Sequence, residues 1–347
     1  MKSKYIGYAF LGAIVIIIAF VIFRMASTGN EANTNTSIKN FLVYEGQVYG
    51  TYFSIIYKSP ISYKTQIDSI FNSIDQAASA YISNSEINVL NNKRIIPNSS
   101  KILKAHFNKA KDLYEVTNAY FDPTISPVIE LWGFGKNTTP NVDSLKIELA
   151  MQRVGFSESY QIIGDTISLK NNAVINFTAM GEGFAIDEIS NFLASKNISD
   201  FKVEIGGELQ ARGESSKQKP WLIGIENPLY DENQDLKRFL ATVEVSNLAL
   251  STSGSYRKYF IDESGVKRSH IINPKTGYPV NHTLISVSVL AETSTKADAY
   301  ATAIMAMGLE QGKVFIKNKP DLEAFLIFET ADGIDVWSSS QQFKMES

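Results

Sequence analysis

Arg268-Ser269-His270-Ile271-Ile272-Asn273-Pro274-Lys275-Thr276-Gly277-Tyr278-Pro279-Val280 holds one of only three histidines in the 347-residue chain. Ile271 and Ile272 read as the end of a buried strand. Asn273-Pro274 and Thr276-Gly277 read as a stiff, defined turn. A strand that stops at a rigid turn beside a rare histidine allows two readings. Either His270 sits on an active-site loop, or the stretch is a hairpin corner in which His270 holds a backbone group.

Outward from this stretch the chain alternates runs of strands with single helices. Strand-like segments precede it at Phe201–Leu209, Trp221–Glu226, Ala241–Val245, Tyr256–Asp262 and Val266–Ile272. Others follow at Leu284–Leu290, Leu322–Phe328 and Ile334–Trp337. Phe41 to Tyr57 alternates around Gly46 and Gly50 and predicts two paired strands. Tyr160–Leu169 and Ala173–Phe177 predict a hairpin across Asn171-Asn172. Helical spacing appears at Ile67, Ile70, Phe71 and Ile74, over Lys101–Val116, and near Phe184–Ala194 and Lys296–Met307. Strands in runs with helices between them predict an α+β fold with mainly antiparallel sheets and flanking helices. With no internal linker or repeat, residues 40–347 read as one catalytic domain.

The formal net charge is −3, so neither a nucleic-acid surface nor an acidic tail is indicated. The chain has no cysteine, which excludes disulfides, thiolate metal sites and cysteine nucleophiles. From Tyr5 to Phe23 no residue is charged, and Lys2 and Lys4 precede the run. A bilayer span takes roughly 20 apolar residues. Residues 1–26 therefore read as an N-terminal transmembrane anchor rather than a cleaved signal, with Met25-Ala26-Ser27 as a weak cleavage site. Residues 27–39 read as a polar linker. Lysines left in the cytoplasm put the catalytic domain on the extracytoplasmic, periplasmic side.

Four stretches could carry chemistry. Asn118 to Gly135 mixes aromatics, glycines and prolines, as in a loop lining a cavity or tucked under the core. Ala173 to Phe184 reads as an apolar strand, a Gly-x-Gly turn and a helix whose start suits a phosphate; a plain strand-to-helix connection is the alternative. On a helix, Asp298 and Thr302 share one face across small alanines, offering hard oxygen ligands to Mg²⁺ or Ca²⁺. Leu250 to Tyr259 sets hydroxyls, a glycine and cations before a strand. No Gly-x-Ser-x-Gly elbow is present, and spacing does not choose among Asp122, Asp187 and Asp298 as partners of His270. His106, among lysines on its helix, reads as a surface histidine.

Taken in order, these stretches resemble the FAD:protein FMN transferase (ApbE-type flavin transferase) family. The likeness also includes Tyr49-Gly50-Thr51-Tyr52-Phe53, Ser85 to Asn91, Ile205-Gly206-Gly207-Glu208 and Leu131-Trp132-Gly133-Phe134-Gly135. It implies a T-fold-like catalytic domain. It further implies a Mg²⁺-dependent reaction in which FAD is the substrate. FMN passes to a Thr or Ser hydroxyl of an acceptor flavoprotein of a membrane electron-transport complex, and AMP leaves. By position it places the cation at Ala179, Asp298, Ala301 and Thr302. Flavin contacts fall on Tyr49, Tyr81, Tyr120, Phe121, Asp122, Asn176, Glu182 and Ile271, and His270 becomes the base. The chain departs from common family residues at Tyr49 (Met), Asn176 (Asp), Glu182 (Lys) and Asn273 (Asp). Two alternatives use the same site: a Mg²⁺-dependent FAD pyrophosphatase, and a flavin-binding protein without turnover.

Overall fold

β1 (Phe41–Val48) and β2 (Thr51–Lys58) open the described part of the chain as a hairpin. Its turn residues Tyr49 and Gly50 both have positive φ, the geometry that matches the twist of paired strands. The computed structural model describes residues 40–135, 139–231, 236–256, 258–262 and 264–346. The apolar run 5–23 and the linker lie outside those residues. Among the described residues no helix is long and apolar enough to cross a membrane.

The hairpin begins an eight-stranded sheet that continues with β3 (Phe201–Ile205), β4 (Glu208–Arg212) and β5 (Leu248–Gly254). It ends with β6 (Leu284–Ala291), β7 (Glu323–Thr330) and β8 (Gly333–Ser338). Strand order in the sheet follows strand order in the chain. Every neighbouring pair is antiparallel, as the runs of strands predict. Residues 37–347 cluster as one unit.

Alternation along β7 shows how the sheet divides two cores. Ala324 and Leu326 join the larger core, against the helices. Phe325 and Ile327 join a second core against a three-stranded sheet of Trp221–Glu226, Phe239–Val245 and Phe343–Met345. β6 is buried at all eight positions, which explains its continuous apolar pattern; its polar Ser286 and Ser288 are buried too.

The helices are α1 (Lys64–Ala78), α2 (Glu86–Lys93), α3 (Lys101–Val116), α4 (Ser126–Leu131) and α5 (Ser144–Met151). α6 (Thr178–Ser195), α7 (Ser294–Met307) and α8 (Leu309–Lys317) follow. α3 has the predicted bounds, with the Ser100 hydroxyl accepting from the Leu103 N–H at 3.0 Å.

Several local expectations are overturned. The hairpin is Tyr160–Ile163 with Thr166–Leu169, and residues 173–177 form no strand. Their alternation is real, since Ala173, Ile175 and Phe177 are buried. Their backbone groups, however, are held by side chains. The Asn91 amide brackets Ile175, donating to its carbonyl and accepting from its N–H, both at 2.8 Å, and Arg94 donates to the Ala173 carbonyl at 2.6 Å. The Gly-x-Gly is no turn, because α6 already begins at Thr178. Phe201–Leu209 is split by the Gly206-Gly207 turn, where both φ angles are positive. Val266–Ile272 divides between two small hairpins. His106 is not a surface residue. Its ring is fully buried and stacked on Phe184 with centroids 3.7 Å apart, and the Lys109 ammonium lies over the same Phe184 ring.

Candidate active site

α6 and α7 cross closely enough that a Cβ on Gly183 would lie 2.5 Å from the Ser294 carbonyl oxygen. Asp187 on α6 locks that crossing. It accepts from the N–H groups of Ser294 (2.7 Å) and Thr295 (3.1 Å) at the start of α7. A carboxylate suits that positive helix end, and the Lys109 ammonium, 3.4 Å away, balances its charge. Asp187 is therefore an architectural residue rather than a partner of His270.

The crossing sets Glu182 and Asp298 on one side of a cavity of about 960 Å³, large for a small-molecule site. Asp298 is 6% exposed, and its Oδ2 accepts from the Gly183 N–H at 3.4 Å. Thr302 lies one helical turn on, its hydroxyl 3.3 Å from that of Ser253 on β5. Glu208, at the start of β4, meets them from the sheet. Burial first, and then the neighbouring charge of Glu182, pushes the Asp298 carboxyl well above the usual range. Burial, then the charges of Asp298 and Glu182, does the same for Glu208. Burial also raises Glu182. The donors gathered here are all oxygens, which suits a hard divalent cation. Among the described residues no three acid or imidazole side chains converge closely enough to hold a metal alone. A cation here would draw on backbone and substrate oxygens as well.

The stretch 268–280 forms another part of the wall, with His270, Ile271, Ile272 and Pro274 on the cavity. The two readings of His270 turn out to be compatible. Its backbone N–H and its ring both bond the carbonyl of Lys258, at 3.1 and 2.9 Å. A carbonyl only accepts, so Nδ1 carries the proton and Nε2 the lone pair. Burial lowers the His270 pKa from its ordinary value, and the Lys258 charge adds to that, against the opposing hydrogen bond.

The loop 118–135 both lines the cavity and packs beneath it. Tyr120, Phe121, Asp122 and Phe134 line it. Trp132 is in a small core with Val128 and Ile272 and donates to the Gly277 carbonyl at 2.9 Å. Tyr120 donates to Gln311 at 2.6 Å. Phe121 is 2% exposed, so its ring lies largely in the core. Asp122 accepts from the Thr124 N–H at 2.8 Å, and burial raises its pKa. Asn176 accepts from the Thr178 N–H at 2.9 Å, a local turn bond just ahead of α6. Tyr81 stands 77% exposed at the mouth.

Of the sequence-derived candidates, His270, Tyr81, Tyr120, Phe121, Asp122, Asn176, Ala179, Glu182, Ile271, Asp298 and Thr302 line this one cavity. Tyr49 and Ala301 do not. Tyr49 packs edge-on against Phe71, and Ala301 is buried in α7. Ser253 comes from the hydroxyl stretch Leu250–Tyr259 and lines the cavity, whereas Glu208 was missed as a chemical group. The signal for Glu208 was the double glycine before it, which turns β4 into the cavity.

This antiparallel α+β domain, whose cleft joins the His270 loop to a buried acidic helix face, is by its relatives of the flavin-transferase class. The chain belongs to the ApbE family, whose model matches residues 49–326. It is 32% identical over 317 residues to the FAD:protein FMN transferase of Haemophilus influenzae, covering 86% of this chain and 89% of that one. The Escherichia coli K12 protein of the same name is 28% identical over 94% of this chain and 95% of its own. The solved flavin transferase ApbE from Vibrio cholerae superposes with a TM-score of 0.76 at 29% identity, over 87% of this chain and 98% of that one. The apo flavinyl transferase ApbE of Pseudomonas stutzeri also gives 0.76, at 25% identity, over 87% and 95%.

Proposed function

We propose that this chain transfers FMN from FAD to a Ser or Thr hydroxyl of an acceptor flavoprotein and releases AMP. The observation that carries the reading is the His270 imidazole, its Nδ1 proton committed to the Lys258 carbonyl, in one cavity with the Asp298–Thr302 face. His270 Nε2 takes the proton of the acceptor hydroxyl. That oxygen attacks the FMN phosphorus, the pyrophosphate P–O bond breaks, and AMP departs with the bond's electrons. Asp298, Thr302 and the backbone near Ala179 and Ala301 would hold Mg²⁺, which when bound offsets the charge growing on the pyrophosphate oxygens. The buried acids Glu182, Glu208 and Asp298, without a lysine or arginine partner among the described residues, fit that assignment. Tyr81, Tyr120 and Ile271 offer the flavin rings apolar and aromatic contacts, while Asp122 and Asn176 hold the loop and the turn ahead of α6 around them.

The uncharged run 5–23 and the lysines before it support a single-pass anchor with the catalytic domain outside the cytoplasmic membrane, where the acceptor would belong to a membrane electron-transport complex. Fractionation tests this: release of the protein by alkaline carbonate would remove the anchor.

The reaction is tested by incubating the chain with FAD, Mg²⁺ and a candidate acceptor. Flavin fluorescence on the denatured acceptor, with AMP in equal amount, is the expected result. FMN and AMP with an unlabelled acceptor would make the chain a pyrophosphatase. Intact FAD that stays bound would make it a carrier.

A further inference from the structure

Glu182, Glu208 and Asp298 crowd one side of the cavity, and no lysine or arginine pairs with any of them among the described residues. Glu208 begins β4 directly after the Gly206-Gly207 turn. A Cβ on Gly206 would lie 2.6 Å from the Glu182 Oε2. Only a glycine turn lets β4 descend this close to α6. The descent sets the Glu208 carboxyl beside Asp298 on the cavity, with the Ser251 hydroxyl, itself buried without a partner, close by. The Glu208 Oε2 is shut off from solvent and has no hydrogen-bond partner.

A buried acceptor without a donor costs about 1–3 kcal/mol, more when charged. Two abutting carboxylates add repulsion. One proton shared between them would relieve the repulsion within that pair, while the charge of Glu182 beside both remains. A hard divalent cation answers both demands, since carboxylate oxygens are its preferred donors.

We propose that Glu208 is a carboxylate ligand of the divalent cation held by Asp298 and Thr302. The inference rests on reading that face as a cation site, and not on which group the enzyme transfers.

The test uses the full chain in detergent, stripped with EDTA, with Mn²⁺ as the probe followed by electron paramagnetic resonance. Mg²⁺-induced thermal stabilisation is measured in parallel. Glu208→Gln keeps the shape and removes the charge. It is expected to weaken Mn²⁺ binding at least about 10-fold and to shrink the Mg²⁺-induced shift. The stripped variant should melt no lower than the stripped wild type. Wild-type Mn²⁺ affinity in Glu208→Gln overturns the proposal, as does a lower melting temperature with an unchanged Mg²⁺ shift. If Glu208→Gln does not fold, Glu208→Asp decides, because it keeps the charge and withdraws the ligand by one methylene; wild-type affinity there overturns the proposal. Asp298→Ala separates the layers. Lost Mn²⁺ binding in Asp298→Ala alone sinks only the Glu208 ligand. No Mn²⁺ binding by the wild type, with or without FAD, sinks the cation site itself.

Discussion

The side-chain amide of Asn273 donates to the carbonyl of Ala306, 3.3 Å away, and so ties the His270 loop to the end of the helix that carries Asp298 and Thr302. Its Oδ1 accepts from the Lys275 N–H at 2.9 Å, which leaves the amide nitrogen facing α7. A carboxylate could keep the turn bond but not the bond to Ala306, because it cannot donate. Asn273→Asp is therefore expected to lower stability by about 1–3 kcal/mol, read from the urea midpoint. An unchanged midpoint would show that the amide does not brace the two walls.

Two glycines on α6 make a matched pair. Gly181 has open space where a Cβ would go, whereas Gly183 faces the Ser294 backbone at 2.5 Å. Gly181→Ala should gain about 0.5–1 kcal/mol from helix propensity. Gly183→Ala should lose at least about 1–3 kcal/mol by wedging the helices apart. Urea unfolding of both variants checks the contrast. Equal effects would mean that the crossing yields easily.

Most of the sheet was legible because its strands alternate or run continuously apolar and follow each other in space. β5 was not, because its Ser251-Thr252-Ser253-Gly254 run reads as the polar approach to a strand at Tyr256–Asp262, of which only Tyr259–Ile261 forms, in a separate small hairpin. Asp298 and Thr302 were legible because helical spacing alone puts them on one face. Residues 173–177 were misread for a physical reason: burial alternates there without a sheet, since Asn91 and Arg94 supply the hydrogen bonds from far along the chain. His106 was misread because its lysine neighbours say nothing of the one face of α3 that α6 covers. The Gly206-Gly207 pair marks the turn before Glu208, but that the turn brings Glu208 to Asp298 depends on the strand order, which no local pattern encodes.

His106 makes stability pH-dependent. Burial, reinforced by Lys109, pushes its pKa down to about 4 against the opposing bond to the Ile102 carbonyl. The folded protein resists the proton that the unfolded chain accepts near pH 6.5. Stability is thus full above that pH and is lost as pH falls toward 4, by up to about 3 kcal/mol. His106→Leu should flatten this acid slope in urea midpoints measured between pH 7 and 4. A slope that survives the substitution would assign the effect to other groups.

His270 and Asp298 should separate kinetically. Asp298→Ala removes the only buried carboxylate on the α7 face and should abolish Mg²⁺-dependent turnover; undiminished activity would overturn the cation assignment. His270→Gln leaves that face intact. It should slow FMN transfer about 10²–10⁴-fold, the usual worth of a general base, with FAD affinity, followed by flavin fluorescence quenching, changed far less. The pH profile discriminates further. Burial holds the imidazole neutral to below its ordinary pKa. Wild-type transfer should therefore stay level through neutrality and fall only below about pH 6.5, as protonation fills the Nε2 lone pair. In His270→Gln that acid limb should vanish with the rate. If instead FAD binding collapses while the limb persists, His270 braces the Lys258 hairpin and another group takes the proton.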